Sequence, residues 1–148
     1  MKVIQVANCD KDFCELCLLL EKFQHQMLPG LEGTGYSLTD QSGITAFLLY
    51  DDKKAVGSIG IKHIDDTACE IMRVFMREEY RGKGLANLLF DHMEKYARQL
   101  GYKRAEMVTW AESKSALSLY KKLGYICSDE KASKWFTGAK YIELYKEL

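Results

Sequence analysis

The sequence lacks an excess of charge of either sign, and it lacks long hydrophobic runs. Its 148 residues include 21 basic and 21 acidic side chains, so the formal net charge is zero. No global field therefore favours nucleic acid or an anionic membrane as a partner, and any anion must be bound locally. No apolar run approaches the roughly 20 residues of a membrane-spanning helix, and the short apolar start does not have the pattern of a signal peptide. We expect a cytoplasmic protein that binds neither nucleic acid nor membranes.

Histidine and cysteine are too few and too scattered to predict a metal site. There are three histidines, and neither His63 nor His92 has partners at the spacing that a metal site requires. The five cysteines fit free thiols in a reducing compartment better than a disulfide framework, because their number is odd. Cys14 and Cys17 form one C-x-x-C pair within a helical pattern, and an isolated pair cannot complete a four-ligand site. We expect no metal and interpret the pair as packing residues.

Proline occurs once, in a segment with four glycines at residues 28–43 that is expected to be a loop or a broken short helix, and no interdomain linker divides the chain. The composition, 47% hydrophobic and 28% charged, predicts one globular domain over residues 1–148. Hydrophobic periodicity predicts helices at residues 12–25, 84–100 and 113–123, and strands at residues 2–7, 44–50, 55–64, 67–76, 103–110, 125–128 and 141–146. A capping box that opens at Asp12 is expected to start the first helix. The order predicts an α+β fold, in which an antiparallel meander precedes a strand–helix–strand unit with parallel pairing.

The most informative segment joins the strand that ends at Met76 to the second helix. Residues 81–86 of this segment, called the glycine loop below, read Arg-Gly-Lys-Gly-Leu-Ala. Glycines let backbone N–H groups approach a ligand closely, and the N–H groups of a helix's first turn lack intrahelical partners. The helix dipole adds partial positive charge, and Arg81 and Lys83 add full charges beside those amides. The glycine loop therefore predicts a site for a phosphate or pyrophosphate.

Two common phosphate-binding motifs do not fit the glycine loop. A P-loop requires the string G-x-x-x-x-G-K-[ST], which is absent from the sequence. A dinucleotide fingerprint requires a third glycine, where this chain has Asn87, and it follows the first strand of a βαβ unit instead of a meander. A nucleoside triphosphatase and a dinucleotide-binding fold are both disfavoured.

Three segments, taken in order, resemble the GCN5-related N-acetyltransferase (GNAT) family. Residues 81–86 fit its R/Q-x-x-G-x-G/A pyrophosphate motif, residues 116–125 look like its second signature, and residues 141–148 are similar to its last strand. The resemblance implies a central mixed sheet with helices on both faces. It also implies transfer of an acetyl group from acetyl-coenzyme A to a primary amine, by direct attack in a ternary complex. A homodimer is a further expectation from the family.

The resemblance also assigns coenzyme-binding roles. The residues concerned are Val74, Met76, Arg81, Gly82, Lys83, Gly84, Leu85, Ala86 and Ser113. The glycine loop would hold the pyrophosphate, and the backbone near Val74 and Met76 would bond to the pantetheine arm. In the family the strand before the glycine loop splays from the next parallel strand and leaves a cleft, and an N–H in a bulge of the strand, that of Val74, would face the thioester oxygen. Ser113 stands where the family often has asparagine, and it is also expected to cap the third helix.

Two side chains are expected to move protons. Tyr120 matches the family's general acid, since a phenol can protonate the thiolate that leaves. Core packing is the alternative, because Tyr120 lies on an apolar helical stripe. Glu70 lies four residues before Val74, at the offset where the family carries a glutamate base, and is predicted to face the same side of the strand. A solvated residue, or a partner for Arg73 or Lys62, is the alternative for Glu70.

The sequence says least about the acceptor. The short chain favours a small-molecule amine or amino acid, with a peptide N-terminus as an alternative. A non-catalytic acyl-coenzyme A sensor or interaction module is the rival from another class. The candidates for contacting the amine or bordering its pocket are Glu32, Tyr36, Asp40, Trp110, Trp135 and Phe136.

Overall fold

The computed structural model describes residues 1–132 and 139–148. The strands are β1 (Lys2–Val6), β2 (Ile44–Asp51), β3 (Lys54–His63), β4 (Ala68–Met76), β5 (Arg104–Trp110), β6 (Ile126–Cys127), β7 (Lys131–Ala132) and β8 (Lys140–Glu147). The α-helices are α1 (Lys11–Met27), α2 (Ala86–Gln99) and α3 (Lys114–Lys122), and short 3-10 helices lie at Pro29–Leu31 and Glu78–Tyr80. The strand order in the sheet is β1-β2-β3-β4-β5-β8-β6, with β7 beside β8.

The sheet combines an antiparallel meander with a parallel pair, which confirms the α+β prediction. Strands β1 to β4 each pair antiparallel with the next strand in the chain. Strands β4 and β5, which precede and follow α2 in the sequence, pair in parallel. Strand β8 then inserts antiparallel between β5 and β6. The core on one face of the sheet contains residues of α2 and α3, and the core on the other face contains residues of α1. Helices therefore cover both faces, as expected.

The start of α1 differs from the predicted capping box. Asp10 is the N-cap, and its Oδ1 accepts hydrogen bonds from the N–H groups of Asp12 at 2.9 Å and Phe13 at 3.1 Å. Asp12 lies inside the first turn, where its charge complements the helix dipole. Its carboxylate accepts a hydrogen bond from the hydroxyl of Tyr50 at 2.6 Å, so it joins α1 to β2 instead of capping the helix.

Strand β4 contains the bulge that the family resemblance implies near Val74, although no glycine marks it in the sequence. Its register with β3 passes from the pair Gly60–Met72 to the pair Ser58–Phe75, so β4 uses one residue more than β3 over this step. Within the step Arg73 has a φ of 58°, a left-handed conformation that residues other than glycine rarely adopt. An extra residue in one strand reverses the alternation of side chains beyond it.

The bulge places Glu70 and Val74 on opposite faces of the sheet. Cys69 and Val74 contact the core beneath α2 and α3, whereas Met72 contacts the core beneath α1. Because side chains alternate along the strand before the bulge, Glu70 shares the face of Met72. The prediction that Glu70 and Val74 share a face is wrong, since one of the residues between them is the inserted one.

Strands β4 and β5 are joined only where they begin. The pairs between them are Ala68–Arg104, Cys69–Ala105 and Glu70–Glu106. Both strands continue beyond these pairs, to Met76 and Trp110, without further pairing to each other. They therefore separate and leave an opening through the sheet, called the β4–β5 cleft below.

Candidate active site

The β4–β5 cleft is large and reaches both faces of the sheet. Its volume is about 1480 Å³, and the separated parts of β4 and β5, the start of α2, one side of α3 and the end of α1 line it. Sites for single small molecules usually measure roughly 300–1,000 Å³. The cleft therefore has room for an elongated ligand together with a second molecule.

The glycine loop presents a row of free backbone donors to this cleft. Gly82 and Gly84 have φ values of 75° and 72°, which suit glycine and would strain most other residues. Helix α2 begins at Ala86, and within the described parts of the chain the N–H groups of residues 82–86 have no hydrogen-bond acceptor. Adjacent free N–H groups at a helix N-terminus bind anions well. The loop thus fits a pyrophosphate.

The two cations of the glycine loop are held differently. The Nε of Arg81 donates to the carbonyl of Met76 at 2.8 Å, and its guanidinium carbon lies 4.8 Å from the ring centre of Phe23. Arg81 is thereby fixed at the edge of the cleft, and the Met76 carbonyl, part of the backbone expected to bond to a cofactor, already accepts a bond. The ammonium of Lys83 lies 5.7 Å from the ring centre of Tyr80, and Lys83 is outside the cleft lining. Its predicted contribution is therefore its backbone N–H.

Tyr120 lines the cleft from α3. Tyr120 is 6% exposed, and the centre of its ring lies 5.8 Å from the ring centre of Phe90. Burial raises the pKa of the Tyr120 hydroxyl well above its usual value, so the group stays protonated at neutral pH. No hydrogen bond engages this hydroxyl within the residues described. A buried neutral phenol facing a cleft can donate a proton or a hydrogen bond there.

Glu70 lines the same cleft from the α1 face. It lies opposite Lys62 on β3 and beside Glu106 on β5, and it forms no ion pair in the described part of the chain. Burial raises the pKa of the Glu70 carboxyl; the nearby Lys62 opposes this shift, and the like charge of Glu106 adds to it. Because the cleft passes through the sheet, Glu70 and Val74 both line it although they belong to opposite faces.

Ser113 lines the cleft, but it does not cap α3 with its side chain. It occupies the N-cap position with a ψ of 62°, and its hydroxyl donates to the sulfur of Met27 at 3.4 Å. N-cap residues that bond to the first-turn amides have extended backbone instead. The expected N-cap position is therefore confirmed without a capping bond from the side chain, while a coenzyme-binding role for Ser113 stays a prediction.

The acceptor candidates divide into residues near the cleft and residues away from it. Tyr36 lines the cleft; its hydroxyl donates to Gln24 Oε1 at 2.8 Å, and its ring packs edge-on against Trp110. Asp40 and Glu32 are outside the lining, and hydrogen bonds from the hydroxyl and N–H of Ser42 lower the pKa of the Asp40 carboxyl. The remaining candidates, Trp135 and Phe136, lie outside the described residues.

Neither a metal site nor a membrane-spanning helix is found in the described ranges. Over residues 1–132 and 139–148, no three side chains of histidine, cysteine, aspartate or glutamate are grouped to hold a metal ion. The helices of these same ranges are too short or too polar to cross a bilayer.

The sequence is similar to N-acetyltransferases. A family model described as "Acetyltransferase (GNAT) family" matches residues 11–125. The uncharacterized N-acetyltransferase YjgM of Escherichia coli is 31% identical over 93 residues, which are 61% of this chain and 56% of YjgM. Human N-acetyltransferase 8B is 27% identical over 94 residues, which are 60% of this chain and 41% of that protein. The alignments thus span about half the length of these relatives.

Solved structures of acetyltransferases share the fold. The IAA acetyltransferase of Bacillus cereus superposes with a TM-score of 0.75 over 99% of both chains at 19% sequence identity. A GNAT family acetyltransferase of Elizabethkingia anophelis with acetyl-CoA bound superposes with a TM-score of 0.72, over 99% of this chain and 97% of that one, at 17% identity. The family model covers most of the sequence, and the sheet, the glycine loop and the cleft agree with it. The chain belongs to the acetyltransferase (GNAT) family.

Proposed function

We propose that this protein is an N-acetyltransferase that transfers an acetyl group from acetyl-coenzyme A to a primary amine of a small molecule or amino acid. The observation that carries the proposal is the row of N–H groups at residues 82–86, which have no acceptor among the described residues and open onto a cleft large enough for two ligands. Family membership supports this choice of donor, as does the acetyl-CoA bound to the Elizabethkingia anophelis neighbour.

Each residue of the site has a proposed role. Acetyl-coenzyme A supplies an activated thioester. The glycine loop and Arg81 bind the pyrophosphate, and the N–H of Val74 donates to the thioester oxygen as negative charge develops there. Glu70 accepts a proton from the amine, directly or through a water, while the amine nitrogen bonds to the carbonyl carbon. Tyr120 donates its proton as the carbon–sulfur bond breaks, so that the thiol leaves uncharged.

The aromatic and acidic residues of the cleft lining favour a cationic amine. Tyr36 and Trp110 contribute aromatic rings to that lining, and the half-buried carboxylate of Glu70 carries no ion pair within the residues described. Aromatic faces and a carboxylate both attract an ammonium group. This chemistry supports a small amine bound in the same cleft as the coenzyme, next to the base that deprotonates it.

The proposal includes a cytoplasmic homodimer, which composition and family resemblance support. Light scattering in solution measures the mass of the assembly. A monomer at micromolar concentration would contradict the dimer but would not bear on the proposed reaction.

The function is tested by the release of free thiol from acetyl-coenzyme A with a panel of amines and amino acids. We expect turnover with the wild type and its loss in Arg81→Glu, because a carboxylate beside the glycine loop repels the pyrophosphate. Lys53→Glu is the matched control, since it reverses a charge in the exposed turn between β2 and β3 and leaves the cleft unchanged. Tight binding of the coenzyme without turnover on any amine would contradict the enzyme and indicate a sensor.

A further inference from the structure

The peptide between Arg73 and Val74 is held by a buried hydroxyl. Ser58 on β3 is 0% exposed, and its Oγ donates to the carbonyl of Arg73 at 2.8 Å. The register of β3 with β4 skips both Arg73 and Val74, so this carbonyl lies at the bulge, outside the regular pairing. Buried polar groups are usually hydrogen-bonded. Among the described residues, the Ser58 hydroxyl has one hydrogen bond, to the Arg73 carbonyl in the bulge.

The bond to Ser58 also fixes the direction of the Val74 N–H. In a trans peptide the C=O and N–H groups lie in one plane and point in opposite directions, and the described chain has no cis peptide. Because the Arg73 carbonyl points to Ser58 on β3, the Val74 N–H points away from β3. That is the side where β4 has separated from β5, and Val74 lines the cleft there.

The side chain of Arg73 holds the same bulge from the other side. Its Nε donates to Gln41 Oε1 at 2.9 Å, and its Nη2 donates to the carbonyl of Asp40 at 3.0 Å. A left-handed residue other than glycine is strained and persists where its surroundings over-determine it. The backbone carbonyl and the side chain of Arg73 are both engaged, so the bulge has one defined geometry.

We propose that Ser58 is a positioning residue for the transfer reaction. Its hydroxyl orients the Arg73–Val74 peptide so that the Val74 N–H donates to the oxygen of the bound thioester. Ser58 itself forms no bond to substrate and exchanges no proton. This inference rests on the proposed function, because the donor matters only if a thioester occupies the cleft.

The test is the carbonyl stretching frequency of acetyl-coenzyme A, labelled with ¹³C at the thioester carbonyl and bound to the protein. A hydrogen bond to the oxygen lowers this frequency, so we expect a lower value on the wild type than in free solution. In Ser58→Ala the frequency should return toward the free value, because the peptide plane is released. We expect kcat to fall about 10- to 100-fold, less than the ~10²–10³ seen when an oxyanion donor is removed outright. The Kd of acetyl-coenzyme A should stay within about threefold, since the glycine loop is unchanged.

Two further variants separate positioning from stability. Ile59→Val, the next residue on β3 and also buried, loses packing but leaves the Arg73 carbonyl bonded, so its frequency and kcat should match the wild type. Ser58→Cys keeps the shape with a weaker donor and should give an intermediate frequency. A Ser58→Ala or Ser58→Cys protein that loses stability yet keeps the wild-type frequency would overturn the inference. A wild type that fails to bind acetyl-coenzyme A would instead overturn the proposed function.

Discussion

At the scale of single residues, burial shifts Tyr120 and Glu70 in the same direction with different consequences. It raises the pKa of both groups and therefore favours the protonated form of each. For a phenol this keeps the group neutral, so that it can donate a hydrogen bond to the leaving sulfur, and it also makes the phenol a weaker acid. For a carboxyl a raised pKa means a stronger base, better matched to removing a proton from an ammonium group. One physical cause thus keeps Tyr120 protonated and makes Glu70 a stronger base.

Replacing Glu70 by glutamine tests the base. The carboxylate is the active form, so the rate should rise with pH through the raised pKa of Glu70. In the wild type the acid limb of kcat/KM should therefore lie above the ordinary glutamate pKa of about 4.3. We expect Glu70→Gln to lose this limb and to lower kcat/KM by about 10²–10⁴-fold at neutral pH, measured by thiol release over a pH series.

Glu106→Gln is the matched control for that prediction. Glu106 lies beside Glu70 in the parallel register, and its charge raises the pKa of Glu70. Removing that charge should move the acid limb to lower pH and leave the plateau high. A Glu70→Gln profile with the height and shape of the wild type would exclude Glu70 as the base.

The residues of the site were predictable where they belong to a contiguous motif. The glycine loop and Tyr120 lie in segments whose spacing identifies them, and the structure brings both to one cleft. The faces of Glu70 and Val74 were not predictable from strand alternation. The bulge between them is formed by Arg73, whereas the sequence signal for such a position is glycine, and the Ser58 bond that holds it comes from another strand.

At the scale of elements, the glycine loop depends on backbone conformation more than on its charged side chains. Gly84→Ala puts a Cβ on a residue with a φ of 72°, where the nearest atom outside the loop's own neighbours is Asn87 Nδ2 at 3.8 Å. Space is therefore adequate, and the left-handed strain of about 1–2 kcal/mol is what shifts the adjacent amides. We expect the Kd of acetyl-coenzyme A, measured by calorimetry, to rise about tenfold or more, because the N–H groups of the loop would no longer all point toward the pyrophosphate.

Gly101→Ala imposes the same kind of strain at the other end of α2. Gly101 has a φ of 92°, and an added Cβ would meet no atom within 4 Å. Both variants should lose similar thermal stability, whereas only Gly84→Ala should weaken coenzyme binding. Equal Kd values for the two variants would show that the loop amides do not hold the pyrophosphate.

Elements were predictable in proportion to their length. The periodic apolar stripe of α2 gave a helix at residues 84–100, and the structure has Ala86–Gln99. Strand β7 was not predicted, because its two residues carry no periodic pattern and it exists through pairing with β8. The separation of β4 from β5 has no local signal either, since each strand alone continues past the point where pairing stops.

At the scale of the whole molecule, the cleft divides the sheet into two parts, one of strands β1 to β4 and one of strands β5 to β8. Strand β5 pairs with β4 through three residue pairs but with β8 through seven, so it belongs with the C-terminal strands. Helix α2 lies against β3 and β2, and an ion pair joins it to the C-terminal part of the sheet. The ammonium of Lys146 on β8 lies 2.6 Å from a carboxylate oxygen of Glu94 on α2 and donates to the carbonyl of Leu123, at the end of α3, at 2.8 Å. Three elements around the cleft therefore meet at one cation.

Lys146→Met should destabilise the protein through this ion pair. The Glu94 side chain is 6% exposed and would keep its ion pair with Arg98, at 3.7 Å, while the Leu123 carbonyl would lose the bond from Lys146. Breaking a buried pair costs about 3–5 kcal/mol, and the nearby Arg98 places the loss at the lower end. Differential scanning calorimetry should show a Tm lower by about 6–12 °C.

Lys131→Met is the matched control. It removes the ion pair between Lys131 and Glu143, in which both side chains are about half exposed, and should leave the Tm nearly unchanged. Equal Tm losses in the two variants would show that burial does not distinguish these pairs and that Lys146 does not bind the two parts together.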